Sequence, residues 1–202
     1  LAPGGVITIE VPHLMRLIEG NQFDTIYFEH RFYFSFATVC TILRKHGLEV
    51  FDVEELPIHG GSLRIYASHY KSVHDCLTRD SDIRKNTLIY IEKDKGINEL
   101  SYYEGFQEKV KDAALWLLDF LIKKQEAGKQ VAAYGAAAKF NTLLNYCGVR
   151  PYLIHYVCDA SPHKQGKFLP GSHIPILKPE VLKIYKPDYL LIGPWNLKEE
   201  IM

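Results

Sequence analysis

The order of elements in the second half of the chain constrains the fold more than any other feature. Residues 130–134 read as a strand, Gly135-Ala136-Ala137-Ala138-Lys139 as a turn of small residues, and 140–147 as a helix. A strand over 152–159 follows, then a long loop through Ile176, a helix over 179–185 and a strand over 188–192 that ends at Gly193-Pro194-Trp195-Asn196. Strand–helix–strand–helix–strand at these lengths predicts a parallel sheet with right-handed crossovers. Apolar residues recurring from Leu100 to Ile122 predict one long amphipathic helix over 99–126, closed by Gly128, that bridges the two halves of the chain.

The first half reads differently. A β-branched run over 6–11, between Gly4-Gly5 and Pro12, predicts a buried strand. Residues 13–35 lack a clean period and read as a partly helical excursion. Ser35 is placed to cap a helix over 36–46, with Val39, Ile42 and Leu43 on one face and Gly47 just past its end. Strands over 48–56 and 62–67, joined by the turn Pro57-Ile58-His59-Gly60-Gly61, predict an antiparallel hairpin. Residues 68–98 are polar, and Lys93-Asp94-Lys95-Gly96 is their most linker-like point.

Composition sets limits on function. Lys+Arg and Asp+Glu are 24 each, and without a basic block the chain does not read as a nucleic-acid binder. No run nears the 18 or so apolar residues of a membrane span, and the start lacks a signal-peptide layout. Cys40, Cys76, Cys147 and Cys158 form no C-x-x-C pair, so they read as free thiols in a reducing compartment, and the expected location is cytoplasmic. The chain opens without Met on Leu1-Ala2-Pro3 and closes inside an incipient helix, as a piece of a longer protein would.

Two places carry candidate chemistry. Phe23-Asp24-Thr25-Ile26-Tyr27-Phe28-Glu29-His30 crowds a phenol, a carboxylate and an imidazole into four residues. His30 is a candidate general base, Glu29 its orienting acid and Tyr27 a donor to a developing oxyanion; a solvated acid beside a structural His is the competing reading. Gly135, Ala136 and Lys139 lie in a strand-to-helix turn where backbone N–H groups can approach a phosphate, though tight helix–strand packing also asks for small residues. Asp159 sits at a strand end about 20 residues on, where such folds place a ribose-binding acid, with Lys164 nearby. His59-Gly60-Gly61-Ser62 reads as a tight hairpin. The histidines at 13, 46, 69, 74, 155 and 173 show no ligand spacing and read as structural.

Taken together, these segments resemble one family. Gly4-Gly5-Val6-Ile7 looks like the loop and fifth strand of a class I S-adenosylmethionine-dependent methyltransferase, and the hairpin resembles that fold's last two strands. The run from Asn21 through His30, His59-Gly60-Gly61-Ser62-Leu63-Arg64, the Tyr134–Lys139 turn, His163-Lys164-Gln165-Gly166-Lys167 and Pro194-Trp195-Asn196 are similar to the C-methyltransferases of nucleotide-linked 4-keto-deoxysugars. The family often has His where Phe28 stands and Gly where Phe140 stands.

The resemblance implies an α/β fold in two parts. Residues 1–92 would be the tail of a methyltransferase Rossmann-like sheet, and 93–202 the bridging helix and a second Rossmann-like domain. It implies Tyr27, Glu29 and His30 as catalytic residues and Gly135, Ala136, Lys139, Asp159 and Lys164 as substrate-binding residues. It also implies S-adenosylmethionine bound mostly outside this stretch, zinc only in a preceding segment, and a nucleotide sugar as substrate. Competing functions are a non-catalytic nucleotide-sugar binding or dimerisation module, and an oxidoreductase using the Gly135 turn for a dinucleotide.

Overall fold

The strand Ser62–His69 (β3) organises the N-terminal part of the protein. In the computed structural model, which describes residues 1–2, 4–72 and 77–202, β3 lies between Val6–Pro12 (β1) and Leu48–Leu56 (β2), antiparallel to both. His74 and Cys76 lie outside the described residues. Strand periodicity sends Leu63, Ile65 and Ala67 to one face, where all three are fully buried. Opposite them in register stand Val11, Ile9 and Ile7 on β1, while Val50 and Val53 on β2 face Ala67 and Ile65. On the other face Arg64 lies level with Glu10 and Glu54, at 3.1 and 3.7 Å. The β2–β3 register shifts between Val50 and Asp52.

Helices cover the apolar face. Leu14–Glu19 (α1) contributes Met15 and Leu17. Phe36–Lys45 (α2) begins as expected at Ser35, whose hydroxyl accepts from the Thr38 N–H at 3.1 Å. Its buried stripe is Phe36, Val39 and Leu43; Ile42 faces outward, one position off the expected face.

The polar stretch after β3, for which no element was expected, holds a 16-residue helix, Arg79–Asp94 (α3). Thr78 and Ser81 close a capping box at its start. It buries only Ser81, Leu88 and Glu92, so no apolar stripe announces it. The linker-like Gly96 is its closing residue: at φ +71° it lets Ile97 N–H reach Glu92 C=O and Gly96 N–H reach Lys93 C=O. Ile97 is then buried.

The expected helix over 99–126 is two elements. A 3₁₀ turn, Leu100–Tyr103, is separated from Phe106–Glu126 (α4) by Gly105 at φ +78°. Val110, Ala114, Leu117 and Leu121 form the buried stripe of α4.

The second sheet is parallel, in the order Ile176–Leu177 (β6), Val157–Cys158 (β5), Val131–Tyr134 (β4), Tyr189–Ile192 (β7). Between these strands lie Ala138–Tyr146 (α5) and Val181–Tyr185 (α6), and Lys198–Ile201 (α7) follows β7. The strand expected over 152–159 is reduced to β5, because Leu153 and Ile154 turn back onto the Arg150 carbonyl and are buried as a loop. The loop expected to run through Ile176 ends in a strand instead, as Val157 and Cys158 pair with Ile176 and Leu177. Leu121, Val131, Ala133, Phe140, Leu144, Ile154, Val157 and Ile174 form the core of this part.

The architecture is thus mixed α/β, with an antiparallel three-stranded sheet and a parallel four-stranded one. The chain divides into two compact units: residues 1–22 with 31–106, and residues 23–30 with 107–202. The segment Phe23–His30 therefore belongs to the second unit although the chain on both sides of it belongs to the first.

Candidate active site

Phe23–His30 is a succession of tight turns. Phe23–Thr25 is a 3₁₀ turn; Ile26 N–H bonds the Phe23 carbonyl, Tyr27 N–H that of Thr25, and His30 N–H that of Tyr27. The last turn brings Tyr27 and His30 together. The phenol Oη lies 3.2 Å from His30 Nε2, and the rings meet edge-to-face with centroids 4.9 Å apart. When Nε2 is unprotonated the phenol donates to it, and that is the tautomer a base at Nε2 requires. Burial, aided by the carboxylates of Glu29 and Asp24, holds the Tyr27 phenol above its usual titration range, so it stays a hydrogen-bond donor. Glu29 is exposed and makes no hydrogen bond to His30; it acts on Tyr27 through its field.

Two side chains of this segment are anchored within the second unit. Asp24 is buried, and its Oδ2 accepts from Trp195 Nε1–H at 2.8 Å. The Phe23 ring packs on Tyr146 at 5.2 Å. Lys139 Nζ stands 5.1 Å from the centre of the Trp195 ring. Burial lowers the affinity of this ammonium for its proton, and the Asp24 charge works against that.

The remaining expected residues fall into one neighbouring arrangement. Asp159 Oδ2 accepts from Ala136 N–H at 2.7 Å and its Oδ1 from Ser161 N–H at 2.8 Å. Lys164 Nζ donates to the Ala136 carbonyl at 2.9 Å and to Asp159 at 3.2 Å. Asp159, Ala136 and Lys164 are thus one network, and Lys139 lies apart from it, against Trp195. Gly135 is held at φ +90°, and a Cβ there would stand 2.3 Å from Pro194 Cδ. Its N–H bonds the Cys158 carbonyl at 2.7 Å. The small residue at this turn therefore serves close packing, and two of its N–H groups are already engaged.

In the first unit the hairpin turn carries three successive positive φ angles, His59 +55°, Gly60 +88° and Gly61 +117°. A Cβ at Gly61 would meet Arg16 Cβ at 2.8 Å, and Gln22 Nε2 donates to the Gly60 carbonyl at 2.6 Å. Arg16, Glu55, Pro57, Gly60, Gly61 and Ser62 line a cleft of about 500 Å³. Its two charged side chains are spent on each other at 2.8 Å. It has no aromatic wall and no strand-to-helix glycine turn with a ribose-binding acid, so it does not fit S-adenosylmethionine. Among the described residues no group of three or more His, Cys, Asp or Glu could hold a metal ion, and no helix is long and apolar enough to cross a membrane.

Sequence reasoning gave Asp24 and Trp195 no individual role, although the run from Asn21 through His30 and Pro194-Trp195-Asn196 both carry the family resemblance. Nothing in the chain pairs the two, because they lie 171 positions apart.

A family model for the C-methyltransferase C-terminal domain matches residues 57–202. The chain is also 37% identical, over all 202 residues, to the C-methyltransferase NovU of Streptomyces niveus, and spans about half (47%) of that protein's length. On these grounds the chain belongs to the C-methyltransferase family that carries this C-terminal domain.

Proposed function

We propose that this chain is part of an S-adenosylmethionine-dependent enzyme that methylates the carbon beside the ketone of a nucleotide-linked 4-keto-deoxysugar. The observation that carries the proposal is the 3.2 Å pairing of Tyr27 Oη with His30 Nε2 on a tightly turned segment. A hydrogen next to a ketone is acidic enough for an imidazole to remove when the enolate oxygen receives a hydrogen bond. His30 Nε2 takes that proton, and the Tyr27 O–H turns from the imidazole to the enolate oxygen. Burial keeps Tyr27 protonated, and the negative field of Glu29, at the solvent side, adds to it. S-adenosylmethionine, when bound, supplies an electrophilic methyl group; the residues described here contribute the base, the oxyanion donor and the hold on the sugar.

In the same reading the nucleotide end of the substrate lies along Gly135, Ala136, Lys139, Asp159 and Lys164. The N–H groups of Gly135 and Ala136 are engaged, so attraction falls to the Lys164 and Lys139 ammonium groups and to the first turn of α5, whose N-cap Ala137 offers no side-chain cap. The free thiols Cys40, Cys147 and Cys158 suit a cytoplasmic setting.

The test is proton exchange in deuterated water with the full-length protein and a nucleoside-diphosphate 4-keto-6-deoxyhexose. Wild type should wash deuterium into the carbon beside the ketone, and His30→Ala should lose both exchange and methyl transfer. Undiminished methyl transfer by His30→Ala would sink the assignment.

A further inference from the structure

Among the charged side chains of Phe23–His30, Asp24 alone is buried. A buried carboxylate is costly unless it is hydrogen-bonded, and here the bond comes from the Trp195 indole N–H at 2.8 Å. The place of Trp195 is itself well determined. Gly193 N–H bonds the Tyr134 carbonyl at the end of β4, and Pro194 lies against Gly135, which only a residue without Cβ allows. The Lys139 ammonium over the indole ring completes a compact trio of carboxylate, indole and cation.

From Asp24 onward each tight turn fixes the next. Phe23 C=O holds Ile26 N–H at 2.9 Å, Thr25 C=O holds Tyr27 N–H at 3.2 Å, and Tyr27 C=O holds His30 N–H at 3.0 Å. A displacement of Asp24 is therefore passed along the backbone to the phenol and imidazole three and six residues on.

We propose that Asp24 is a positioning residue, which sets the place of the Tyr27–His30 pair through its hydrogen bond to the Trp195 indole. This rests on the reading of Tyr27 and His30 as the proton-transfer pair. It assigns to the last strand-end of the second unit a role in the chemistry beyond holding substrate. Misplacing a reacting group by about 1 Å costs on the order of a hundredfold in rate without needing to alter substrate binding. A tie with only structural importance would instead change thermal stability and leave the ratio of kcat to KM effects unstructured.

The full-length protein is assayed for methyl transfer on a nucleoside-diphosphate 4-keto-6-deoxyhexose as wild type, Asp24→Ala, Asp24→Asn, Trp195→Phe and His30→Ala. Fluorine-labelled tryptophan reports the indole at 195, with Trp195→Phe identifying its signal. Asp24→Ala and Trp195→Phe should lower kcat roughly 10- to 100-fold with KM within about twofold, and Asp24→Ala should shift the Trp195 signal. Asp24→Asn keeps an acceptor for the indole and should recover most of the turnover. If Asp24→Ala does not fold, Trp195→Phe gives the same answer, since it removes the donor and leaves a ring in place. Turnover within about twofold of wild type in Trp195→Phe, or a loss that Asp24→Asn does not recover and that only tracks melting, overturns the positioning role while an inactive His30→Ala leaves the proton-transfer reading intact. Full activity in His30→Ala overturns both.

Discussion

The imidazole of His13 meets the carboxylate of Glu92 at 2.8 Å inside the first unit, and both side chains are fully buried. Glu92 serves two elements at once. Its Oε1 also accepts from Phe36 N–H at 2.7 Å and its Oε2 from Ala37 N–H at 2.8 Å, so a side chain of α3 caps the N-terminus of α2.

Removing this carboxylate leaves two helix N–H groups and a buried imidazole without their acceptor. Glu92→Ala should cost about 3–5 kcal/mol, as does breaking a buried pair from one side. Urea denaturation of the full-length protein measures it. A loss of about 0.5 kcal/mol, the size of a surface substitution, would contradict the capping role.

Gly135→Ala should destabilise through two separate effects. The positive φ costs about 1–3 kcal/mol for a residue with Cβ, and the new methyl meets Pro194 Cδ at 2.3 Å. Adding Pro194→Ala relieves the clash and leaves the backbone strain. The double variant should thus lie between Gly135→Ala and wild type in a thermal melt, and additive losses would disprove the contact.

Asp159→Ala strips acceptors from Ala136 N–H and Ser161 N–H and a partner from Lys164. With charge-assisted bonds worth about 1.5–3 kcal/mol each, it should unfold at markedly lower denaturant. Lys164→Met removes a half-exposed ammonium and should change stability by less than about 1 kcal/mol. Its effect belongs in substrate affinity: a calorimetric titration with the nucleotide sugar should show weaker binding, and equal affinity would remove Lys164 from the site.

Tyr27→Phe keeps the ring and deletes the proposed oxyanion donor, so methyl transfer should fall about 10²–10³-fold, the usual loss for one such donor. The phenol is held above its ordinary value of 10.0. An alkaline loss of activity arising from its ionisation should therefore set in only above pH 10, and a pH–rate profile of wild type checks this.

Burial raises the thiols of Cys147 and Cys158 to about 11. In the unfolded chain they titrate near 8.5, approximately the free-thiol value. Between those values the folded state holds protons that the unfolded state has released, so the stability from these groups is complete below about pH 8.5 and lost as pH rises toward 11. Urea midpoints at pH 8 and pH 10 should fall less in Cys158→Ala than in wild type, and identical shifts would refute the assignment.

Where burial follows a local period, the chain is readable. The Ser35 cap of α2, the β2–β3 hairpin and the stripe of α4 all follow from signals that lie within a few residues of one another. The crowding of Tyr27, Glu29 and His30 is visible along the chain as well, but the turn that brings the Tyr27 and His30 side chains together is not, since residues 13–35 have no clean period.

Other features have no local signal. Helix α3 buries a serine, a leucine and a glutamate on one face, seven and four residues apart, but only one of the three is apolar, and its glutamate is stable there only because α2 and His13 come to meet it. Strands of two residues, β5 and β6, exist because neighbouring strands pair with them. The chain alone therefore determined the periodic elements and which titratable groups lie close along it, since those depend on residues a few positions apart. Tertiary structure decided that Phe23–His30 joins the second unit, that Asp24 bonds Trp195, and that the Gly135 turn is closed by Pro194. Those outcomes depend on strand order and on buried groups finding partners more than fifty residues away, which no local pattern specifies.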